Sequence, residues 1–251
     1  NDKALELIKE RAGERKVLLV VMDCGIANFN EAKTAKRLDI DLVIIDHHQP
    51  HDTLPDASII VDPKQEGDEY PFKDLANTGI IFKLAEELVG SRFDELRRGF
   101  SELAALATIS DMMRQEEDNK EIISEGLENL EDTERPGLRV FWTEGLFEEG
   151  ILIRDIAQRI ISVLGASDIV DHKTEAYIVL TSEDEAEIRD LAGKLAEKND
   201  KKQRMVAEMV EEVSASVKPD DTMIFYGKEG WKIPLLGSAG SKIENAFKMP
   251  V

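Results

Sequence analysis

Two apolar runs of strand length set the pattern of the first fifty residues: Lys16-Val-Leu-Leu-Val-Val-Met-Asp23-Cys24-Gly25 and Asp41-Leu-Val-Ile-Ile-Asp46-His47-His48. Each is apolar at consecutive positions, as a strand covered on both faces of a parallel sheet would be, and each stops on an acid. Asn30 to Leu38 between them reads as a crossover helix, so the unit is strand, helix, strand with both strands running the same way. Asp23 and Asp46-His47-His48 then emerge together at the carboxyl edge, where open α/β sheets place their ligands.

The rest of the pattern is mostly helical. Ala4 to Ala12 is a helical lead-in, and residues 49 to 75 carry turn chemistry around one short strand, Ala57 to Val61. Thr78 is placed to cap a helix from Ile80 to Val89. Helical spacing recurs at Phe100 to Met113, Asn119 to Leu130, Gly137 to Trp142 and Ile151 to Leu164. From Ser182 to about Ser216 the stripe Ile188, Leu191, Leu195, Met205, Met209, Val213 predicts one rod of about 50 Å. A Ser182–Glu185 capping box would open it, and the polar middle Lys198 to Arg204 suits a solvent-crossing connector. Thr222 to Tyr226 and Trp231 to Leu236 read as strands. Gly237-Ser238-Ala239-Gly240-Ser241 would then lead into a helix at Lys242 to Phe247 and offer backbone amides to an anion.

Carboxylates and imidazoles at one sheet edge suit a hard or borderline divalent cation, and metal-dependent hydrolysis through it. Turn-forming Asp residues beside accidental His neighbours are the bland alternative. Three of the four His residues (His47, His48, His51) fall just past the second strand, which favours the metal. Asp111, near the end of a buried helix, either caps it or reaches the same ion. His172 lies in a polar loop and reads as solvated.

The formal net charge of −20 makes the surface repel polyanions unless cations or a local basic patch intervene. Broad coating of DNA is disfavoured; a metal-lined groove is not. The single Cys24 forms no internal disulfide and reads as a packing residue in a reducing, cytoplasmic setting. No apolar stretch reaches the roughly 20 residues of a bilayer span, and no signal-peptide pattern opens the chain, so a soluble protein without membrane attachment is expected.

Asp23-Cys24-Gly25 followed by Asp46-His47-His48 resembles the second and third motifs of the DHH phosphoesterase superfamily. The surroundings are similar to RecJ nucleases: Asp46-His-His-Gln-Pro, Leu54-Pro-Asp-Ala, Val61-Asp-Pro-Lys, Tyr70-Pro-Phe-Lys-Asp-Leu-Ala and Gly79-Ile-Ile-Phe-Lys-Leu-Ala, in that order. Ala107-Thr-Ile-Ser-Asp111 resembles the fourth motif, and Thr133-Glu-Arg-Pro-Gly-Leu138 the segment after it.

The resemblance implies an α/β fold in three parts. A parallel-sheet DHH catalytic domain with a helical half covers residues 1–181, a long connecting helix 182–217, and the start of a smaller α/β DHH-associated, substrate-binding domain 218–251. It implies an exonuclease on single-stranded DNA or RNA that works by metal-hydroxide attack with two Mn2+ or Mg2+ ions, and that acts beside a replication or repair protein. Asp23 would bridge the ions, His47 and Asp111 would hold the second, Asp46 would orient ligands, and His48 would meet the scissile phosphate. Thr78, Gly79, Arg159 and Gly237 to Ser241 would bind substrate.

Three departures qualify this. No H-x-D or D-x-D strand end, the family's first metal motif, occurs in residues 1–22; Ile161 and Ala166 stand where the family has Asn and Arg; and the G-G-G-H run is absent. The expectation is a fragment truncated at both ends, with little or no activity alone, from a divergent, archaeal-type branch. A phosphatase or oligoribonuclease for short substrates, an inactive RecJ-like replication scaffold and an α/β metabolite-binding protein stay open as alternatives.

Overall fold

The computed structural model describes residues 1–144, 150–170, 172–218 and 220–251. In chain order the elements are α1 (Asp2–Ala12), β1 (Val17–Met22), α2 (Phe29–Arg37), β2 (Ile40–Ile45), β3 (Ile59–Val61), α3 (Asn77–Val89), α4 (Phe93–Ser110), α5 (Glu117–Leu130) and α6 (Pro136–Thr143). There follow α7 (Ile153–Leu164), β4 (Ile169–Val170), β5 (Lys173–Thr174), α8 (Glu175–Thr181), α9 (Glu185–Ser216) and α10 (Ile233–Phe247). The chain divides into two compact units, Asn1–Glu134 with Gly150–Gln158, and Arg135–Glu149 with Arg159–Val251.

In the first unit β1, β2 and β3 form a parallel sheet in that order, with Met22 opposite Ile45 and Ile45 opposite Val61 at the carboxyl ends. Central β2 is covered on both faces. Ile40, Leu42 and Ile44 pack with Leu5 of α1 and with Ala32 and Ala35 of α2; Ile45 packs with Ile80, Phe82, Phe93, Ala104 and Ile122 from α3, α4 and α5. At about 2–3 kcal/mol for each large apolar side chain removed from water, these two clusters dominate the stability of the unit.

The uniform apolar run of β1 is not buried on both faces. Val17, Leu19 and Val21 join the α1/α2 cluster, while Leu18, Val20 and Met22 on the other face are exposed. Helices α4 and α5 meet at Gly126, where a Cβ would run into the carbonyl of Ser101, so the close approach needs glycine.

The second unit is built on α9, whose 32 residues span about 48 Å. Its first half buries Ile188, Ala192 and Leu195, and its second half packs Val206 and Met209 against Leu235 and Ala239 of α10. Asp184, not Ser182, caps it, accepting from the amides of Ala186 and Glu187; Ser182 ends α8. Nor is its middle solvated all round, because Asn199 is buried and Lys198 pairs with Glu175 (2.6 Å) and Asp168 (2.8 Å).

The two strands expected after residue 221 do not form. Trp231 to Leu236 runs into α10, with Pro234 in its first turn, where a missing N–H costs nothing. No helix among the described residues is long and apolar enough to cross a membrane.

Candidate metal centre

The carboxyl ends of β1 and β2 stop at the same level, and the chain turns sharply there. Asp23 adopts a left-handed backbone (φ 62°), which Asp tolerates better than most residues, and its amide still donates to the Ile45 carbonyl at 3.0 Å. Its side chain therefore leaves the strand line and is exposed.

Asp46, directly after β2, is buried and ties the two strand ends together. Its carboxylate accepts from the amides of Ile26 (3.0 Å), His47 (2.8 Å) and His48 (3.3 Å), and bonds His48 Nδ1 at 2.7 Å. Burial pushes this carboxyl up, but the hydrogen bonds from Ile26, the His48 ring and the His47 and His48 amides outweigh it and hold the pKa below the ordinary value. A charged Asp46 can only accept, so Nδ1 of His48 carries the hydrogen and a neutral His48 keeps its lone pair on Nε2.

His47 is buried, and its Nε2 lies 3.3 Å from Asp23 Oδ1 and 3.4 Å from Asp111 Oδ2. Neither ring nitrogen makes a hydrogen bond. A buried imidazole with both nitrogens unmatched is costly, and a cation at Nε2 shared with the two carboxylates would remove half of that cost. Donor atoms of Asp23, His47 and His48 all lie within 4.8 Å of one another. Asp111, the C-cap of α4 in the same unit, reaches the same His47 nitrogen. Oxygen and imidazole donors of this kind fit Mn2+ or Mg2+.

Of the other residues singled out by sequence, Thr78 does not cap α3. The helix begins one residue earlier, Ala76 stands at the N-cap and Thr78 lies in the first turn. Gly79 is buried, and a Cβ on it would press on Leu75 and Ile122, so its smallness serves packing. Arg159 and Gly237 to Ser241 belong to the second unit. Arg159 pairs with Asp200 at 3.0 Å. Gly237 to Ser241 lie inside α10, where their amides face the preceding helical turn, so the premise of a loop offering free amides does not hold. Cys24 is exposed rather than packed; burial, then the charges of Asp46 and Asp23, push its thiol up, away from a nucleophile.

Three residues that sequence reasoning passed over frame the site. Lys64 donates to the His47 carbonyl at 2.6 Å. Asn119, buried on α5, accepts from the Ala76 amide (3.2 Å) and donates to the carbonyls of Asp74 (2.7 Å) and Arg114 (2.9 Å). Asn77, also buried, reaches both strand ends: with its side-chain amide assigned the orientation that matches donors to acceptors, its nitrogen faces the Ile45 carbonyl at 3.0 Å and its oxygen the Asp23 N–H at 2.9 Å. The only advance signal was a lysine and two amide side chains beside turn and cap positions, too common a pattern to single them out.

Residues 1–109 match the DHH family, N-terminal domain. Over its whole length the chain is 37% identical to the single-stranded-DNA-specific exonuclease RecJ of Bacillus subtilis (strain 168), and it spans 31% of that protein. Its fold is similar to RecJ from Thermus thermophilus solved with Mn2+ (TM-score 0.79, 21% identity, 100% of this chain and 37% of that one). It is also similar to an exonuclease RecJ bound to manganese (TM-score 0.73, 23% identity, 96% of this chain and 61% of that one). The chain thus spans about a third of the B. subtilis relative.

Proposed function

We propose, from a chain whose residues 1–109 match the DHH family, N-terminal domain, and that is similar to RecJ along its whole length, that it carries the metal-holding part of an exonuclease for single-stranded DNA. The observation that carries the reading is the buried His47 Nε2, unmatched between the carboxylates of Asp23 and Asp111. Asp23, His47 and Asp111 would hold Mn2+ or Mg2+ ions, with His48 near enough to join them. When bound, such ions lower the pKa of water and neutralise charge on a phosphoryl group.

The chain's own residues do the positioning. Asp46 fixes the ring of His48 through Nδ1 and leaves Nε2 to meet an ion through its lone pair or, when the ring is protonated, to donate to a phosphate oxygen. Lys64 holds the His47 backbone through its carbonyl. With 52 acids against 32 bases, the chain relies on cations to admit a polyanion at all. The free Cys24 suits a reducing, cytoplasmic setting.

The test is Mn2+-dependent nucleotide release from end-labelled single strands by the full-length protein, beside Asp23→Ala. Loss of release in the variant is expected, and equal turnover in both ends the proposal. The acidic charge favours a second reading, hydrolysis of very short strands; turnover that falls steeply as the strand lengthens would select it. A parallel RNA strand separates the two nucleic acids.

A further inference from the structure

The exposed carboxylate of Asp23 owes its direction to a backbone bend rather than to side-chain contacts. The residue sits one past the last β1–β2 pair, with φ at 62°, a region that non-glycine residues rarely adopt, Asp less rarely than most. Such a conformation persists only where its surroundings enforce it. In the Asn77 amide orientation that matches donors to acceptors, two acceptors surround the Asp23 N–H: the Ile45 carbonyl at 3.0 Å and the side-chain oxygen of Asn77 at 2.9 Å. The amide nitrogen of Asn77 closes the triangle on the same Ile45 carbonyl at 3.0 Å. Asn77 is only 4% exposed and stands in the first turn of α3. The residue before it, Ala76, is pinned by Asn119, so the amide arrives on a fixed support.

From this triangle we infer that Asn77 is a positioning residue for Asp23: it stabilises the bend that holds the carboxylate 3.3 Å from His47 Nε2, and so sets affinity for the divalent ion without touching it. Asn suits the task because one planar group supplies a donor and an acceptor side by side, matching a carbonyl and an N–H at the end of a ladder. Asp would place a second acceptor against the Ile45 carbonyl, and Ala would leave the strand end without its bracket. The inference rests on the proposed reading of Asp23 as a metal ligand.

Calorimetric titration of the full chain with Mn2+ tests it, run beside urea unfolding. Asn77→Ala should weaken Mn2+ binding about tenfold, the order expected when a group that orients a ligand is lost. Gly126→Ala, which loosens the α4/α5 contact instead, should lower stability and leave Mn2+ affinity within about twofold.

A double-mutant cycle locates the effect. The penalty of Asn77→Ala should vanish in an Asp23→Asn background and persist in Asp111→Asn. Equal penalties in both backgrounds, or unchanged Mn2+ affinity with lowered stability, overturn the inference. If the alanine variant does not fold, Asn77→Ser, which keeps a donor and an acceptor on a shorter arm, takes its place in the same cycle. Failure of the unmutated chain to bind Mn2+ overturns the metal reading and this inference with it. Binding that ignores Asn77 overturns the inference alone.

Discussion

His47 Nε2 lies 3.3 Å from Asp23 Oδ1, yet no hydrogen bond joins them. A buried nitrogen beside a carboxylate that it does not bond is a poor arrangement for folding and a good one for binding a cation. The conflict gives a sharp expectation. His47→Leu should abolish Mn2+ binding in calorimetry while leaving the stability of the metal-free chain unchanged or higher by about 1 kcal/mol, since an apolar group removes two unmatched nitrogens. A loss of several kcal/mol in urea unfolding would mean that His47 is structural.

Ion binding should show as stabilisation. At free Mn2+ one hundred times the dissociation constant, the chain should gain about 2.7 kcal/mol, reversed by a chelator and visible as a rise in Tm. Mn2+ should act at lower concentration than Mg2+, because an imidazole ligand suits the softer ion and Mg2+ prefers an all-oxygen shell.

Asp46 should respond to acid. Its pKa is lower in the fold than in the unfolded chain, so the charged form favours folding. That contribution is complete above the ordinary Asp value of about 4 and is lost as pH falls through the lower folded value. Asp46→Asn should cost about 2–3 kcal/mol at neutral pH, the worth of hydrogen bonds to a buried charge. It should also flatten the decline of the urea midpoint below about pH 4 in metal-free protein.

Asn119 makes three hydrogen bonds from a fully buried position. Asn119→Ala should destabilise the chain by about 2–4 kcal/mol, because the Ala76 amide and two carbonyls lose their partner. Amide exchange measured by NMR should speed up first at Ala76.

The strand, helix, strand unit and its two acidic ends were readable because the apolar runs, the crossover length and the Asp/His residues all specify one arrangement, a parallel pair ending at one edge. What the pattern hid was set by tertiary neighbours. Leu18, Val20 and Met22 look as apolar as the residues of β2, but position within the sheet, not residue type, decides which face is covered. Thr78 and Ser182 are good caps by type, yet the N-caps are Ala76, whose amide Asn119 holds, and Asp184, whose carboxylate accepts from two amides of α9. The small residues from Gly237 to Ser241 look like a loop. Their glycines are tolerated in α10 because Leu235, Ala239 and Ile243, at spacings of four, give that helix a buried stripe. Asn77 and Asn119 were invisible because a polar side chain in a helix is ordinarily solvent-facing, and only the packed structure reveals which are enclosed.

The uncovered flank of β1 bears on how this polypeptide behaves at high concentration. Leu18, Val20 and Met22 project from a strand that, among the described residues, has a neighbour on one side alone. A greasy surface next to unused backbone donors and acceptors is a template for sideways growth of the sheet. The apparent molar mass from light scattering should therefore rise with protein concentration, and Val20→Lys should suppress that rise while sparing every group around His47.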